Sequence, residues 1–177
     1  MASRRGQNPF RLETFSFWVA NRILEKHPEW MPFVEPCEAE QDGFTVNNLA
    51  INIPCPHPTI TEPLTLSVDT NKIIVVSWYA KQETWRWTID WIFYWIPKTR
   101  GPNWVNEHDG VDIVVDFIEK FMSEEIATYR TYDDPLGSGV AGTITSTDVA
   151  NGYYKKGQRG TEIRSWRGSL DVTLGPV

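Results

Sequence analysis

Cys37, Cys55, His57 and His108 are the side chains in this sequence best suited to bind a transition metal, since thiolate and imidazole are the ordinary ligands of zinc. A structural zinc site draws pairs of ligands from one short element, as in Cys-x-x-Cys or His-x-x-x-His, and no such pair occurs. The spacing predicts no metal. Glu107-His108-Asp109 sets carboxylates beside an imidazole, the materials of general acid and base catalysis. Adjacent residues rarely face one another, however, and negative charge is what the positive end of a helix attracts, so Asp109 reads as an N-cap. Gly137-Ser-Gly139-Val-Ala-Gly142 spells the dinucleotide fingerprint, with Glu162 about twenty residues further on. That fingerprint works only between a strand and the helix that receives the pyrophosphate. Here Asp-Asp-Pro-Leu precedes it and β-branched Thr143-Ile-Thr follows, which predicts a loop. No Gly-x-Ser-x-Gly elbow and no cysteine-nucleophile signature is present. The basic stretch from Lys155 to Arg167 contains Trp166, which could stack on a base, but charged hairpin tips are common and need no ligand. The residue types therefore predict no catalytic group, no metal and no cofactor.

The elements that would carry these residues follow from periodicity. Asn8-Pro9 resembles an N-cap with proline at the first helical position, and Leu12, Phe15, Val19 and Ile23 recur at helical spacing, predicting a helix over about 9–26 closed by His27-Pro28. Pro28, Pro32 and Pro36 then predict an irregular, exposed connector over 28–43, with an acidic run of Glu35, Glu38, Glu40 and Asp42. Leu49, Ile51 and Ile53 alternate along a strand from Phe44, and Leu64–Val68 with Ile73–Tyr79 predicts a hairpin. Thr84–Ile96 holds four of the nine tryptophans. Positions 85, 87, 89, 91, 93 and 95 are all apolar while 84, 86, 88 and 90 are Thr, Arg, Thr and Asp, a period of two that predicts a strand with buried rings and an outward face bearing Arg86 and Asp90. Val111, Val114, Val115, Ile118, Phe121 and Met122 predict a second helix. Strands are expected over 126–132, 140–149 and 163–174, with Asn151-Gly152 as a type I′ turn. The order predicts an α+β fold: one domain over 1–177, residues 1–8 a flexible tail, with a mainly antiparallel twisted sheet and two helices packed on one face.

Composition narrows the function classes. At 177 residues, with 41% apolar residues, the chain can bury a core without disulfides or metals. A net charge of −6 opposes binding to phosphate backbones and anionic membranes, and favours a basic partner if there is one. The start has no apolar run of the kind a secretory signal needs, and WIFYWIP is too short to span a bilayer, so both cysteines are expected as reduced, partly buried thiols.

Taken in order, the N-terminal helix, Trp85-Arg-Trp-Thr-Ile-Asp-Trp91, Phe117-Ile-Glu-Lys-Phe-Met-Ser-Glu-Glu-Ile126 and Arg164-Ser-Trp-Arg-Gly-Ser-Leu-Asp171 resemble small bacterial immunity proteins of polymorphic toxin systems. The resemblance implies a cytoplasmic, non-enzymatic inhibitor that binds and neutralises a cognate protein toxin, and it carries over no fixed inhibitory residues. On charge grounds the expected partner-binding residues are Glu35, Glu38, Glu40 and Asp42, with Arg86 and Asp90. A small enzyme or ligand-binding domain with a tryptophan-lined pocket reached by His57 or His108 is the alternative from another class. A phage or host regulatory inhibitor would use the same interface physics as an immunity protein.

Overall fold

The computed structural model describes residues 8–41, 43–69, 73–82, 85–94, 107–132, 141–153 and 160–174, of which 41, 79–82, 85–94, 107–110, 132 and 141 are described as backbone only. The fold is α+β with two antiparallel sheets rather than the single sheet expected. The chain divides into two compact units: Met1–Ile53 with Leu64–Ser77 and Asp90–Val115, and Pro54–Pro63 with Trp78–Ile89 and Asp116–Val177.

In the first unit, α1 (Thr14–Lys26) begins later than Asn8-Pro9 suggested. Asn8 is not free tail: its side chain donates to the Leu12 carbonyl at 2.7 Å and accepts from the Leu12 N–H at 3.0 Å. The helix is capped instead by Glu13, whose carboxylate accepts from the Phe15 and Ser16 N–H groups. Pro28 ends α1 as expected, but the next segment is ordered. Pro28–Phe33 winds into a 3-10 turn and Val34–Gln41 forms β1. The three prolines do not break the segment: Pro28 opens the 3-10 turn, where an N–H would be unpaired in any case, Pro32 sits inside that short turn, and Pro36 stands on an edge strand.

β1 pairs with β2 (Phe44–Ile53), β2 with β3 (Leu64–Val68), and β4 (Ile73–Gln82) and β5 (Trp85–Tyr94) complete the sheet in the order β1-β2-β3-β4-β5. Leu49, Ile51 and Ile53 alternate into the core as the sequence predicted, and the register sets Ile51 opposite Leu66 and Ile53 opposite Leu64. Val34, opposite Ile51, joins this buried face. α1 and the 3-10 turn lie against β2, with Val19, Ile23 and Trp30 buried. The Asp69 side chain and carbonyl-facing N–H both bond to Ile73, closing the predicted hairpin. The tryptophan-rich segment is a strand, β5; where its rings point, and the turn at 70–72, lie outside the described residues.

Helix α2 (Glu107–Met122) starts two residues before Asp109, which is thus inside the helix rather than its cap. Its stripe is buried at Val111, Val114, Val115, Ile118 and Phe121. Asp112 on this helix meets Lys26 at 2.9 Å and Arg22 at 3.5 Å from α1.

The second unit holds the second sheet, ordered β7-β6-β8-β9, with β6 Ile126–Tyr132, β7 Ala141–Thr145, β8 Gly160–Arg164 and β9 Val172–Leu174. The strand expected over 140–149 stops at Thr145, whose hydroxyl accepts from the Asp148 N–H and caps α3 (Ser146–Asn151). Asn151-Gly152 is therefore a helix end and not a hairpin turn. Gly152 at φ 67° supplies the left-handed residue that closes α3. The expected strand over 163–174 is instead β8, a loop over 165–171, and β9. Ala127, Val149 and Ile163 form a small core with Tyr129, Ile144, Leu170 and Val172 packed against it.

Candidate functional site

Of the six residues expected to contact a partner, three are described with their side chains, and all three are exposed: Glu35, Glu38 and Glu40. They lie on β1, which ends the sheet. Side chains alternate along a strand, so they do not form one patch. Glu38 and Glu40 share a side with Val34 and Pro36. Glu35 is on the other, where it accepts from the Asn52 amide at 2.7 Å while Asn52 accepts from the Thr65 hydroxyl at 2.9 Å. Asp42 lies outside the described residues, as do the side chains of Arg86 and Asp90. Both of the latter belong to β5, which stands at the other end of the strand order from β1.

The register also makes β1 and β2 a protruding ribbon. β3 pairs with β2 only over Ala50–Ile53, whereas β1 pairs with it along Phe44–Ile51. Asn47 ties the ribbon to the start of α1, its carbonyl accepting from the Glu13 N–H and its amide donating to the Arg11 carbonyl, and Asn48 is buried. Further out, Glu38 and Glu40 are exposed on one side, and Cys37 and Phe44 are exposed on the other beside half-buried Ala39 and Val46. Phe44, at the tip, keeps 74% of its surface in solvent. It is the most exposed of the large apolar side chains among the described residues, and sequence reasoning missed it because Phe44 opens a strand whose later residues are core.

The second unit contains a polar cluster that the sequence did not announce. His57 is buried, and both its ring nitrogens are used. Nδ1 accepts from the Thr59 and Ile60 N–H groups at 3.1 Å each, so Nε2 carries the proton and donates to Asp171 Oδ2 at 2.9 Å. Asp171 Oδ1 accepts from the Ser165 N–H at 2.8 Å. Next to it, Arg164 donates to Glu162, to the Thr173 hydroxyl at 3.1 Å and to the carbonyls of Ile163 and Val172. Trp78 lies at the centre of an aromatic group with Phe121, Trp166 and His57, at ring separations of 4.9, 6.3 and 6.5 Å.

Cys55, His57 and Asp171 invite comparison with a nucleophile, base and orienting acid. The geometry does not supply that chemistry. His57 has no nitrogen left to take a thiol proton, the Cys55 thiol points to the Trp166 carbonyl at 3.6 Å, and burial pushes its pKa up, where a nucleophile needs it lowered. The cluster works as a clasp, binding segment 54–63 to the loop at 165–171. Among the described residues no group of three His, Cys, Asp or Glu side chains is arranged to hold a metal ion. The side chains of Glu107, His108 and Asp109 lie outside the described residues, as do Gly137 and Gly139. Gly142 is in β7 against the Tyr129 ring, and Glu162 is committed to Arg164, so neither serves a dinucleotide.

The 165–171 loop is tied from another side by Glu124, which ends α2 in the left-handed region at φ 63°. Its carboxylate accepts from the Arg167 N–H at 2.7 Å, from the Ser169 N–H at 3.4 Å and from the Ser169 hydroxyl. Burial alone would raise the pKa of Glu124, but these donors, with Ser165, outweigh it and hold the carboxyl below its ordinary 4.5. A carboxylate with a lowered folded pKa gives stability that is complete above the unfolded pKa and lost as pH falls through the folded one. Glu124→Gln is therefore expected to be less stable than wild type at pH 7 and to show a shallower loss of stability from pH 5 downward, checked by urea unfolding across that range.

No protein-family model, no curated protein and no solved structure matches this chain. No helix among the described residues is long and apolar enough to cross a membrane.

Proposed function

We propose that the chain is a non-enzymatic, cytoplasmic binding protein, an immunity-type inhibitor that neutralises a cognate basic protein toxin by contact with the β1–β2 ribbon. The observation that carries the reading is the ribbon itself: a two-stranded arm bearing solvated carboxylates at Glu38 and Glu40 and an exposed aromatic at Phe44. Carboxylates on such an arm speed encounter with a basic surface, and a desolvated aromatic anchor slows release. The alternative enzyme reading would use His57 or His108. His57 gives it no support, because its two nitrogens are already bonded within the protein. A regulatory inhibitor of phage or host origin would use the same arm on another basic partner.

The test is affinity purification from the native cell followed by charge reversal. A basic toxin domain is expected to co-purify in fixed ratio. Glu38→Lys combined with Glu40→Lys is expected to weaken that complex by about tenfold or more at low salt, mainly through slower association, from exposed pairs worth roughly 0.5–1 kcal/mol each. A complex equally tight after the double reversal would remove the ribbon from the interface. Turnover of a metabolite abolished by changing either histidine would replace the inhibitor reading with an enzymatic one.

A further inference from the structure

The outer edge of β1 is unpaired among the described residues, and its chemistry restricts what can pair with it. Pro36 stands opposite Leu49 and has no N–H to give β2, so this pair belongs to the non-hydrogen-bonded set of the antiparallel ladder. Alternation then puts Glu38 and Glu40 in the same set, with their N–H and C=O groups turned outward, away from β2. The free edge thus offers a short row of backbone donors and acceptors over Cys37–Gln41. Its two sides differ: Glu38 and Glu40 on one, and Cys37, Ala39, Val46 and Phe44 on the other.

Taking the ribbon as the partner-binding surface, we infer that the partner enters as an extended segment that adds a strand to the free edge of β1, and that this segment alternates basic and apolar residues. Every second side chain of an added strand stands beside Glu38 or Glu40, where a lysine or arginine is favoured. The residues between stand beside Ala39 and Cys37, on the side that carries Phe44. A second copy of the chain is a poor occupant, because two β1 edges paired antiparallel would set glutamates against glutamates. Protection of an edge against wrong pairing accounts for Pro36 and the carboxylates. Phe44, 74% exposed on the other side, gives an added strand an apolar surface to pack on.

The test titrates the full chain with four synthetic heptapeptides: alternating lysine and valine, the same composition in two blocks, and the alternating peptide N-methylated at every second residue in each of the two registers. Calorimetry is expected to show the alternating peptide binding about tenfold more tightly than the block peptide, and N-methylation in one of the two registers is expected to abolish that advantage. Glu38→Pro, which removes the outward N–H, is expected to bind about tenfold more weakly than Glu38→Gln, which keeps it, with thermal melts showing that both variants fold. Equal binding of alternating and block peptides, indifference to N-methylation in both registers, or a protein dimer with protected β1 amides would each overturn strand addition. A toxin lost on charge reversal but indifferent to the proline leaves the inhibitor reading standing and strand addition rejected. Peptides that bind as expected, with no toxin co-purifying, do the opposite.

Discussion

Replacing Arg164 by methionine is expected to destabilise the protein by about 3–5 kcal/mol, far more than an ion-pair residue at a surface would cost. The decisive quantity is burial. The Glu162 side chain is only 3% exposed and that of Arg164 9%, so the substitution strips a buried carboxylate of a charged hydrogen-bond donor in the interior. Arg164 also satisfies the carbonyls of Ile163 and Val172 and the Thr173 hydroxyl, and its Nε lies 3.9 Å from Asp171, the residue that holds His57. Its loss is thus expected to loosen the clasp as well. The double variant Glu162→Met with Arg164→Met is expected to lose less than the sum of the two single losses, because the two side chains share one buried hydrogen bond. Urea unfolding of the two single variants and the double one checks this. A double variant with the summed cost of the two singles would mean that the pair is not coupled.

Trp78→Ala is the other large effect, expected at about 3–5 kcal/mol. The indole is wholly buried, and it touches Phe121 edge-on and Trp166 at a tilt. Truncation removes apolar contact area and leaves a void that these two rigid rings fill poorly, since neither can bend into it without leaving its own contacts. Trp78→Phe keeps a ring against Phe121 and is expected to lose less than half as much. A difference of this kind in thermal or urea midpoints would place the stability in aromatic packing. Equal losses would place it in the part of the indole that a phenyl ring does not reach.

Local patterns in the sequence gave away the elements but not their use. Alternation at Leu49, Ile51 and Ile53 and the stripe from Val111 to Phe121 form the elements they predict because each is one buried face of a regular element, and the period-two run from Trp85 forms the strand its period predicts. The misreadings cluster where one residue type serves two backbone geometries. Asn151-Gly152 fits a hairpin turn and a helix end equally, and only the length of the preceding helix decides between them. Pro36 marks a break in isolation and an edge strand once β2 is beside it. Of the site, the acidic residues of β1 were legible as charge, but their division between two sides of a strand appears only with the register. The His57 clasp was not legible, because Asp171 is 114 residues away and no local spacing signals a contact of that range. A hint existed in His57-Pro-Thr-Ile, where an imidazole can accept from the turn it precedes.

The two thiols are free and chemically unequal. Cys37 is exposed on the protruding ribbon, whereas Cys55 is half-sheltered and its ionisation suppressed. Near neutral pH a thiol-selective dye or spin probe reacts through the thiolate, so it has a natural address on the arm and a discouraged one at the clasp. The native sequence therefore already carries a reporter position on the edge strand itself, and encounters at that edge can be followed by fluorescence or resonance without engineering a new attachment point.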